Sequence, residues 1–446
     1  MLTTTRAPAA DKGYALFSRN ALLFALFAVV IPNVLFLLVA PFYIASRLIS
    51  PLLFLAAGIA GLFLPARLTF ILFLLAALID LTLMVMMAFH LPFDVALDSL
   101  KYSASINPAK SALYVCIVLV VTATSALSAW LISRNRAALR QASLVPALLL
   151  AAALSGADLA WTQPYFHKPD VPFQSARTMS GLSADAIIGE HANLLIVVVE
   201  GMGAYADPEA RQLLKSVLTK NLPEGRFSVE DGQTYYSGST TGAASRELCD
   251  RWGDYIDYLT GAPTDNCLPN QLGAAGYDTI AFHGFMMDMF QRDKWYPRIG
   301  FQKMEFMDQL EVEQPEHFVQ RCGSVFNGLC DADVGKAVHA RLKTEPDTPK
   351  FIYWLTLNSH IPYVDSPEDT MGCRSDTPKI RNKTVCELTN LWAIVFEEVN
   401  EIASDPDLAN TDILIVGDHH TPLWERAAKD DFVLGKVDWI LLRHND

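Results

Sequence analysis

The stretch NLLIVVVEGMG, Asn193 to Gly203, runs through six consecutive apolar residues and stops on the carboxylate of Glu200. A short apolar run without polar alternation fits a strand buried on both faces, the kind found in a mostly parallel sheet covered by helices. Asp207 and Pro208 then sit where an N-cap and a first helical residue belong, opening DPEARQLLKSVLTK. Further apolar runs follow in YDTIAFHG, FIYWLTLNSH, TDILIVGDHH and VDWILLRH, alternating with helical patterns. The spacing predicts an α/β domain over residues 188–446 with a mostly parallel central sheet.

Several of these runs end alike. Glu200, His283, His360, Asp418 and His419 each lie at or within a few residues of the end of an apolar strand. In open parallel α/β sheets ligands bind at the carboxyl ends of the strands, so residues far apart in the chain meet at one edge. Taken singly, a strand-end acid is commonly a cap or a surface residue. Two carboxylates and an imidazole gathered together are suitable ligands for zinc, with manganese or another divalent cation as the substitute. A nucleophile is offered by GSTTGAASRELC, Gly238 to Cys249, a small-residue turn leading into a helix. Thr240 stands at or just before that helix start, where free N–H groups favour a phosphate or a developing anion. Its hydroxyl needs a metal or a base for activation, and a place as fourth metal ligand meets that need. On spacing alone Ser239 and Thr241 exchange roles with it.

The N-terminal part has another character. Up to Trp161 the chain carries ten Lys/Arg, five Asp and no Glu, which leaves 25 basic and 43 acidic residues for the remainder. An acidic remainder without a Lys/Arg cluster argues against nucleic acid as a partner. Apolar segments near 21 to 45, 49 to 65, 68 to 91, 111 to 133 and 143 to 160 predict about five membrane-spanning helices in a domain over 1–160. The second is the shortest. Arg6, Lys12, Arg19, Arg67, Arg134, Arg136 and Arg140 fall on one side, and Arg47, Lys101 and Lys110 on the other. That bias predicts a cytoplasmic N-terminus, and five spans put everything after Trp161 outside the inner membrane. Asp80 and Asp158 are intramembrane carboxylates and candidates for a polar cavity; the other readings are a bond to a neighbouring helix for Asp80 and hydration near the outer interface for Asp158. The loop from Pro92 to Lys110 has room for short interfacial helices facing the soluble domain. Pro164, Pro169 and Pro172 mark 161–187 as a linker over the membrane surface with no regular structure.

Of seven cysteines, Cys116 falls inside the fourth apolar segment, as an inert core residue. The other six fall as neighbours along the chain: Cys249 with Cys267, Cys322 with Cys330, Cys373 with Cys386. An even count outside the membrane reads as disulfides in an oxidising periplasm, although six cysteines permit fifteen pairings and the sequence does not choose.

In order along the chain, VVVEGMG, GSTTGAASRELC, MFQRDKWYPRIGF, LNSHIPY and VGDHH resemble the membrane-bound branch of the alkaline phosphatase and sulfatase superfamily. That branch includes lipid A phosphoethanolamine transferases, lipoteichoic acid synthases and the phosphoglycerol transferases of periplasmic glucans. The resemblance covers about Asn193 to Arg443. It implies a metal held by Glu200, Thr240, Asp418 and His419, with Thr240 as nucleophile because it lies nine positions before Cys249. Arg292, in FQRD, matches a phosphate-contacting arginine, with Phe290 where the lipoteichoic acid synthases usually carry tryptophan. His360, in NSHIPY, matches a substrate-binding histidine able to stabilise phosphate oxygens or protonate a leaving group. His283 is either a substrate-side residue or a structural one. Formylglycine sulfatases are disfavoured, because their C-x-P-x-R is replaced by CLPNQ at Cys267.

The resemblance implies a ping-pong zinc phosphotransferase, integral to the bacterial inner membrane, with a periplasmic catalytic domain. It would pass a phosphoethanolamine or phosphoglycerol head group from a membrane phospholipid, through a phosphothreonine, to an envelope glycan or lipid A. A monomer is expected. The competing expectations are a phosphodiesterase of the same superfamily, releasing the head group to water, and a non-catalytic membrane scaffold.

Overall fold

The computed structural model describes residues 16–104, 106–166, 170–408 and 410–445. Arg6 and Lys12 of the charge count lie outside the described residues. The chain divides into two compact units, Met1–Val85 with Val115–Pro164 and Met86–Tyr114 with Tyr165–Asp446.

Among the described residues four helices are long and apolar enough to cross a membrane: Arg19–Val39, Ala66–Phe89, Ala112–Arg134 and Val145–Phe166. The first is continuous through a π-helical segment, Leu26–Val30. Pro32 follows it and lacks an N–H, and Asn33 Nδ2 donates to the Val29 carbonyl at 2.7 Å, bonding a group beside the irregularity. The expected second span is only the 12-residue helix Ser50–Gly61. At about 1.5 Å per residue it is roughly 18 Å long, short of a hydrocarbon core of about 30 Å.

The residues leading into this short helix are held by two acids from other apolar helices. Arg47 Nη2 pairs with Asp80 Oδ2 at 2.5 Å. Asp158 Oδ2 accepts from the Arg47 N–H at 2.9 Å and from Ser46 Oγ at 3.2 Å. At the opposite end of the helix, Arg140 Nε donates to the Leu62 carbonyl at 2.7 Å, and Arg136 donates to that of Leu64. Cys116 is exposed on its helix and is not a packed core residue, because in an apolar helix the outward face is apolar too. Pro164 does not interrupt regular structure: it lies in the last turn of Val145–Phe166, where few helical bonds remain to be lost. The expected linker also holds two short helices, Ala176–Met179 and Ala184–Glu190.

The second unit is built on ten strands: β1 (Asn193–Val199), β2 (Gly203–Tyr205), β3 (Phe227–Tyr235), β4 (Asp278–His283), β5 (Lys303–Phe306), β6 (Arg321–Cys322), β7 (Gly328–Leu329), β8 (Lys350–Leu355), β9 (Thr411–Gly417) and β10 (Phe432–His444). Eight form one sheet in the order β2-β10-β9-β1-β8-β4-β5, with β3 also on β10. β9, β1, β8, β4 and β5 run parallel, whereas β10 pairs antiparallel with β9, β2 and β3. This is a mostly parallel, mixed sheet.

β1 explains its own composition. Leu195, Val197 and Val199 enter one apolar cluster with helices Pro208–Leu218, Asp331–Leu342 and Lys383–Ser404. Leu194, Ile196 and Val198 enter a second, with helices Ala184–Glu190, Thr240–Cys249 and Leu268–Ala274. A strand covered on both faces needs apolar residues at every position. After Glu200 the chain turns through Gly201, whose φ of +65° suits glycine. A Cβ on Gly417 would lie 1.8 Å from the Met202 carbonyl oxygen, so glycine there lets the ends of β1 and β9 close together. Three disulfides join Cys249 to Cys267, Cys322 to Cys330 and Cys373 to Cys386.

Candidate metal and nucleophile site

At the carboxyl ends of the adjacent strands β1 and β9, Glu200, Asp418 and His419 come together, with ligand atoms within 4.8 Å of one another. All three are buried, at 4%, 0% and 3% exposure. Asp418 Oδ1 accepts the N–H groups of Gly201 and His419, each at 2.7 Å, which aims Oδ2 into the site. Glu200 is held through its backbone: its N–H donates to Thr356 Oγ1 at 2.9 Å, and its carbonyl accepts from Ser359 Oγ at 2.7 Å and Trp392 Nε1 at 3.1 Å. Its carboxylate is thereby free to face Asp418.

The chemistry of this set calls for a cation. His419 Nδ1 lies 3.0 Å from the carbonyl of His420, which can only accept. Nδ1 therefore donates there, and Nε2 faces Asp418 Oδ2 at 3.2 Å and Glu200 Oε1 at 3.6 Å. Burial, then the neighbouring Asp418, pushes the Glu200 carboxyl well above its ordinary range. Three electron-rich groups facing one another away from water are stabilised by a divalent ion.

Thr240 is the first residue of the helix Thr240–Cys249, with Ser239 as N-cap. Its Oγ1 donates to Asp418 Oδ2 at 2.8 Å and lies 3.5 Å from Glu200 Oε2. Of the three consecutive hydroxyls the sequence left open, Thr240 is the one bonded to the acids. Ser239 and Thr241 both donate elsewhere, to Asp254.

The remaining candidates divide. His360 Nδ1 lies 2.9 Å from the Ile361 carbonyl, and its ring packs on Phe326 with centroids 3.9 Å apart. Burial, then His419, lowers its pKa to about 4. Arg292 is buried, with Nη1 donating to the Met289 carbonyl at 3.3 Å and Nε lacking a bonding partner. Its field acts on Glu200 and on His283. The His283 ring is fixed by a 3.0 Å bond between Nδ1 and the Leu355 carbonyl and by an edge contact with Phe306. Burial and Arg292 hold its pKa well below the usual value, so it is a neutral core histidine. Phe290, at φ 54°, packs on Tyr102 and Tyr255 and lies 5.5 Å from the Arg292 guanidinium.

Two contacts had no signal in the sequence. Phe89 meets the His419 ring edge-on at 5.4 Å. The segment after it carries the expected short helices, Phe93–Ser99 and Pro108–Lys110 among them, and Asp98 accepts from the Tyr255 hydroxyl and, at 3.4 Å, from Gln291 Nε2. The other is Asp254, whose position in RWGDYIDY looks like an ordinary helix cap.

Residues 232–432 match the sulfatase family model. Glu200 lies before the matched region. Among solved structures, the lipoteichoic acid synthase LtaP from Listeria monocytogenes is similar at 17% identity and a TM-score of 0.41, over 57% of this chain and 65% of that one. The phosphoglycerol transferase GacH from Streptococcus pyogenes, in complex with sn-glycerol-1-phosphate, is similar at 14% identity and a TM-score of 0.40, over 58% of this chain and 71% of that one. The zinc complex of the C-terminal periplasmic domain of EcEptC from Escherichia coli is similar at 17% identity and a TM-score of 0.38, over 57% and 73%. No curated protein matches the chain.

Proposed function

We propose that the protein is a zinc-dependent phosphotransferase of the inner membrane. It moves a phospholipid head group, phosphoethanolamine or phosphoglycerol, through a phosphothreonine at Thr240 to an envelope glycan or lipid A. The observation that carries this reading is the placement of Thr240. A hydroxyl at a helix N-terminus, bonded at 2.8 Å to one of two buried acids beside an imidazole, is a nucleophile poised for activation.

Glu200, Asp418, His419 and Thr240 would hold the metal, and the bound ion supplies charge neutralisation and a lowered pKa for the Thr240 hydroxyl. In the first half-reaction Thr240 Oγ forms a bond to phosphorus, and the bond from phosphorus to the diacylglycerol oxygen breaks. Arg292, whose guanidinium keeps an unpartnered Nε, offsets charge on the phosphoryl oxygens. The ring of His360 is neutral around pH 7, with its proton on Nδ1, so Nε2 presents a lone pair. It is suited to take the proton of the acceptor hydroxyl in the second half-reaction and pass it to the departing Thr240 oxygen, whereas in the first half-reaction the Thr240 proton is given up to solvent and the leaving alkoxide takes one from it. In this reading residues 1–160 form the membrane domain, 161–187 connect it, and 188–446 carry the chemistry. The donor then lies in the leaflet beside its enzyme.

Thr240→Ala should abolish transfer, with a loss on the order of 10⁴-fold or more, while the protein keeps its three disulfides and its melting temperature. Labelled donor phospholipid should leave an acid-stable adduct on Thr240 of the wild type and none on the variant. Full transfer by Thr240→Ala would remove the nucleophile. Head group released at the same rate with and without added glycan would make the protein a hydrolase.

A further inference from the structure

Ser239, Thr240 and Thr241 form an unbroken run of hydroxyls at a helix start, yet only one of them reaches the acids of the metal site. A single side chain sorts them. Ser239 Oγ donates to Asp254 Oδ2 at 2.5 Å, and Thr241 Oγ1 donates to Asp254 Oδ1 at 2.6 Å. Asp254 is 8% exposed and is itself fixed. Its Oδ1 also accepts the Tyr255 N–H at 2.7 Å, and its own N–H donates to Asp257 Oδ2 at 2.9 Å, a capping box that opens the helix Tyr255–Leu259. The disulfide between Cys249 and Cys267 closes the segment that contains it.

We infer that Asp254 is the positioning residue that selects Thr240 as the nucleophile, by engaging the protons of both flanking hydroxyls and fixing the turn between them. The inference rests on the phosphothreonine reading given above. A hydroxyl has one proton to donate, and a bond to a buried carboxylate is about twice as strong as one between neutral groups. Ser239 and Thr241 therefore have no proton left for the metal site, and Ser239 Oγ still accepts the Gly242 N–H at 3.0 Å as the helix cap. With both neighbours tied down on the far side of the turn, the Thr240 side chain is presented to Asp418. The side chain of Asp254 bonds to Ser239, Thr241 and Tyr255 rather than to Glu200, Asp418 or His419, and it acts through the turn.

The test uses the full-length, metal-loaded protein with labelled donor phospholipid, an acid quench and peptide mass spectrometry to locate the adduct. In the wild type the adduct sits on Thr240 alone. Asp254→Ala should lower kcat by about 100-fold, the effect of an ångström of misplacement, with little change in KM for the donor. Adduct should now appear on Ser239 or Thr241 as well. Asp254→Asn keeps one acceptor oxygen and falls between the two. In a Ser239→Ala/Thr241→Val background the two hydroxyls are gone, so adding Asp254→Asn should cost no more than about twofold, a non-additivity expected only if the carboxylate works through them. That comparison also decides the matter where Asp254→Ala does not fold. A folded Asp254→Ala with wild-type kcat and adduct on Thr240 alone overturns the role of Asp254 and leaves the phosphothreonine standing, as does an Asp254→Asn loss equally large in both backgrounds. Absence of adduct from Thr240 in the wild type sinks both.

Discussion

Glu200 and Asp418 are two buried acids turned toward one imidazole nitrogen, an arrangement that costs several kcal/mol unless a positive charge completes it. The raised pKa of Glu200 makes this measurable, because binding a cation must displace the proton that burial and Asp418 hold there. Calorimetric titration of chelated protein with zinc, in two buffers of different ionisation enthalpy, should show proton release at pH values above the ordinary carboxylate range. Glu200→Gln should abolish that release. At 100- to 1,000-fold excess over the dissociation constant the metal should add about 3 to 4 kcal/mol of stability, and wild type and chelated protein melting together would count against a metal at this position. The candidate ligands Glu200, Asp418 and His419 were legible because each follows the end of a strand, and the ends of adjacent parallel strands share one edge of the sheet. Asp254 and Phe89 were not legible. One looks like any N-cap and the other like any apolar residue of a span, and their significance comes from contacts to Thr241 and His419 that lie far away in sequence.

At the scale of elements, the apolar runs identified β1, β4, β8, β9 and β10 because burial on both faces leaves a pattern. β3 escaped because most of its side chains are exposed or half-buried, and β2 because three residues are too few to carry a pattern. The helix Arg426–Lys429 shows a different kind of cost. Lys429 is 5% exposed, and its ammonium lies 5.5 Å over the Phe166 ring with no carboxylate bonded to it among the described residues. Burial lowers its pKa from 10.5 to about 8. A base with a depressed folded pKa destabilises the fold fully below that value, and the penalty fades as pH rises toward the unfolded pKa. A shift of this size corresponds to something on the order of 3 kcal/mol. Lys429→Met should therefore raise the melting temperature in detergent by several degrees at pH 7. The gain should shrink from pH 8 upward and be gone near 10.5. A lower melting temperature at pH 7 would mean that the ammonium is compensated and that its burial carries no penalty.

For the whole molecule, the side of the membrane on which the chemistry occurs depends on parity, and parity turns on one short helix. Four long spans alone return the chain to the side of its N-terminus, whereas a crossing by Ser50–Gly61 makes five. Twelve residues look too few, and the five-span reading proposed above leans on the contacts at its two ends. Its entry is bonded to Asp158, 13 residues into the helix Val145–Phe166, and its exit to Arg136 and Arg140, in the turn just before that same helix begins. The two ends therefore lie about 20 Å apart along a neighbouring span at 1.5 Å per residue, and the polar group formed by Arg47, Asp80 and Asp158 lets the chain begin its descent below the surface. Arg67, Arg134, Arg136 and Arg140 gather at the exit end, as the positive-inside rule requires of the cytoplasmic side. Three disulfides beyond the last span fit an oxidising compartment there. In a Cys116→Ala background, a membrane-impermeant thiol reagent applied to intact spheroplasts should label Val319→Cys, at a site 77% exposed. It should leave Ala137→Cys, in the turn with Arg136, unlabelled until the cells are lysed. Labelling of Ala137→Cys alone before lysis would place the Thr240 site in the cytoplasm, where the proposed periplasmic acceptors do not occur and the proposed reaction has no substrate.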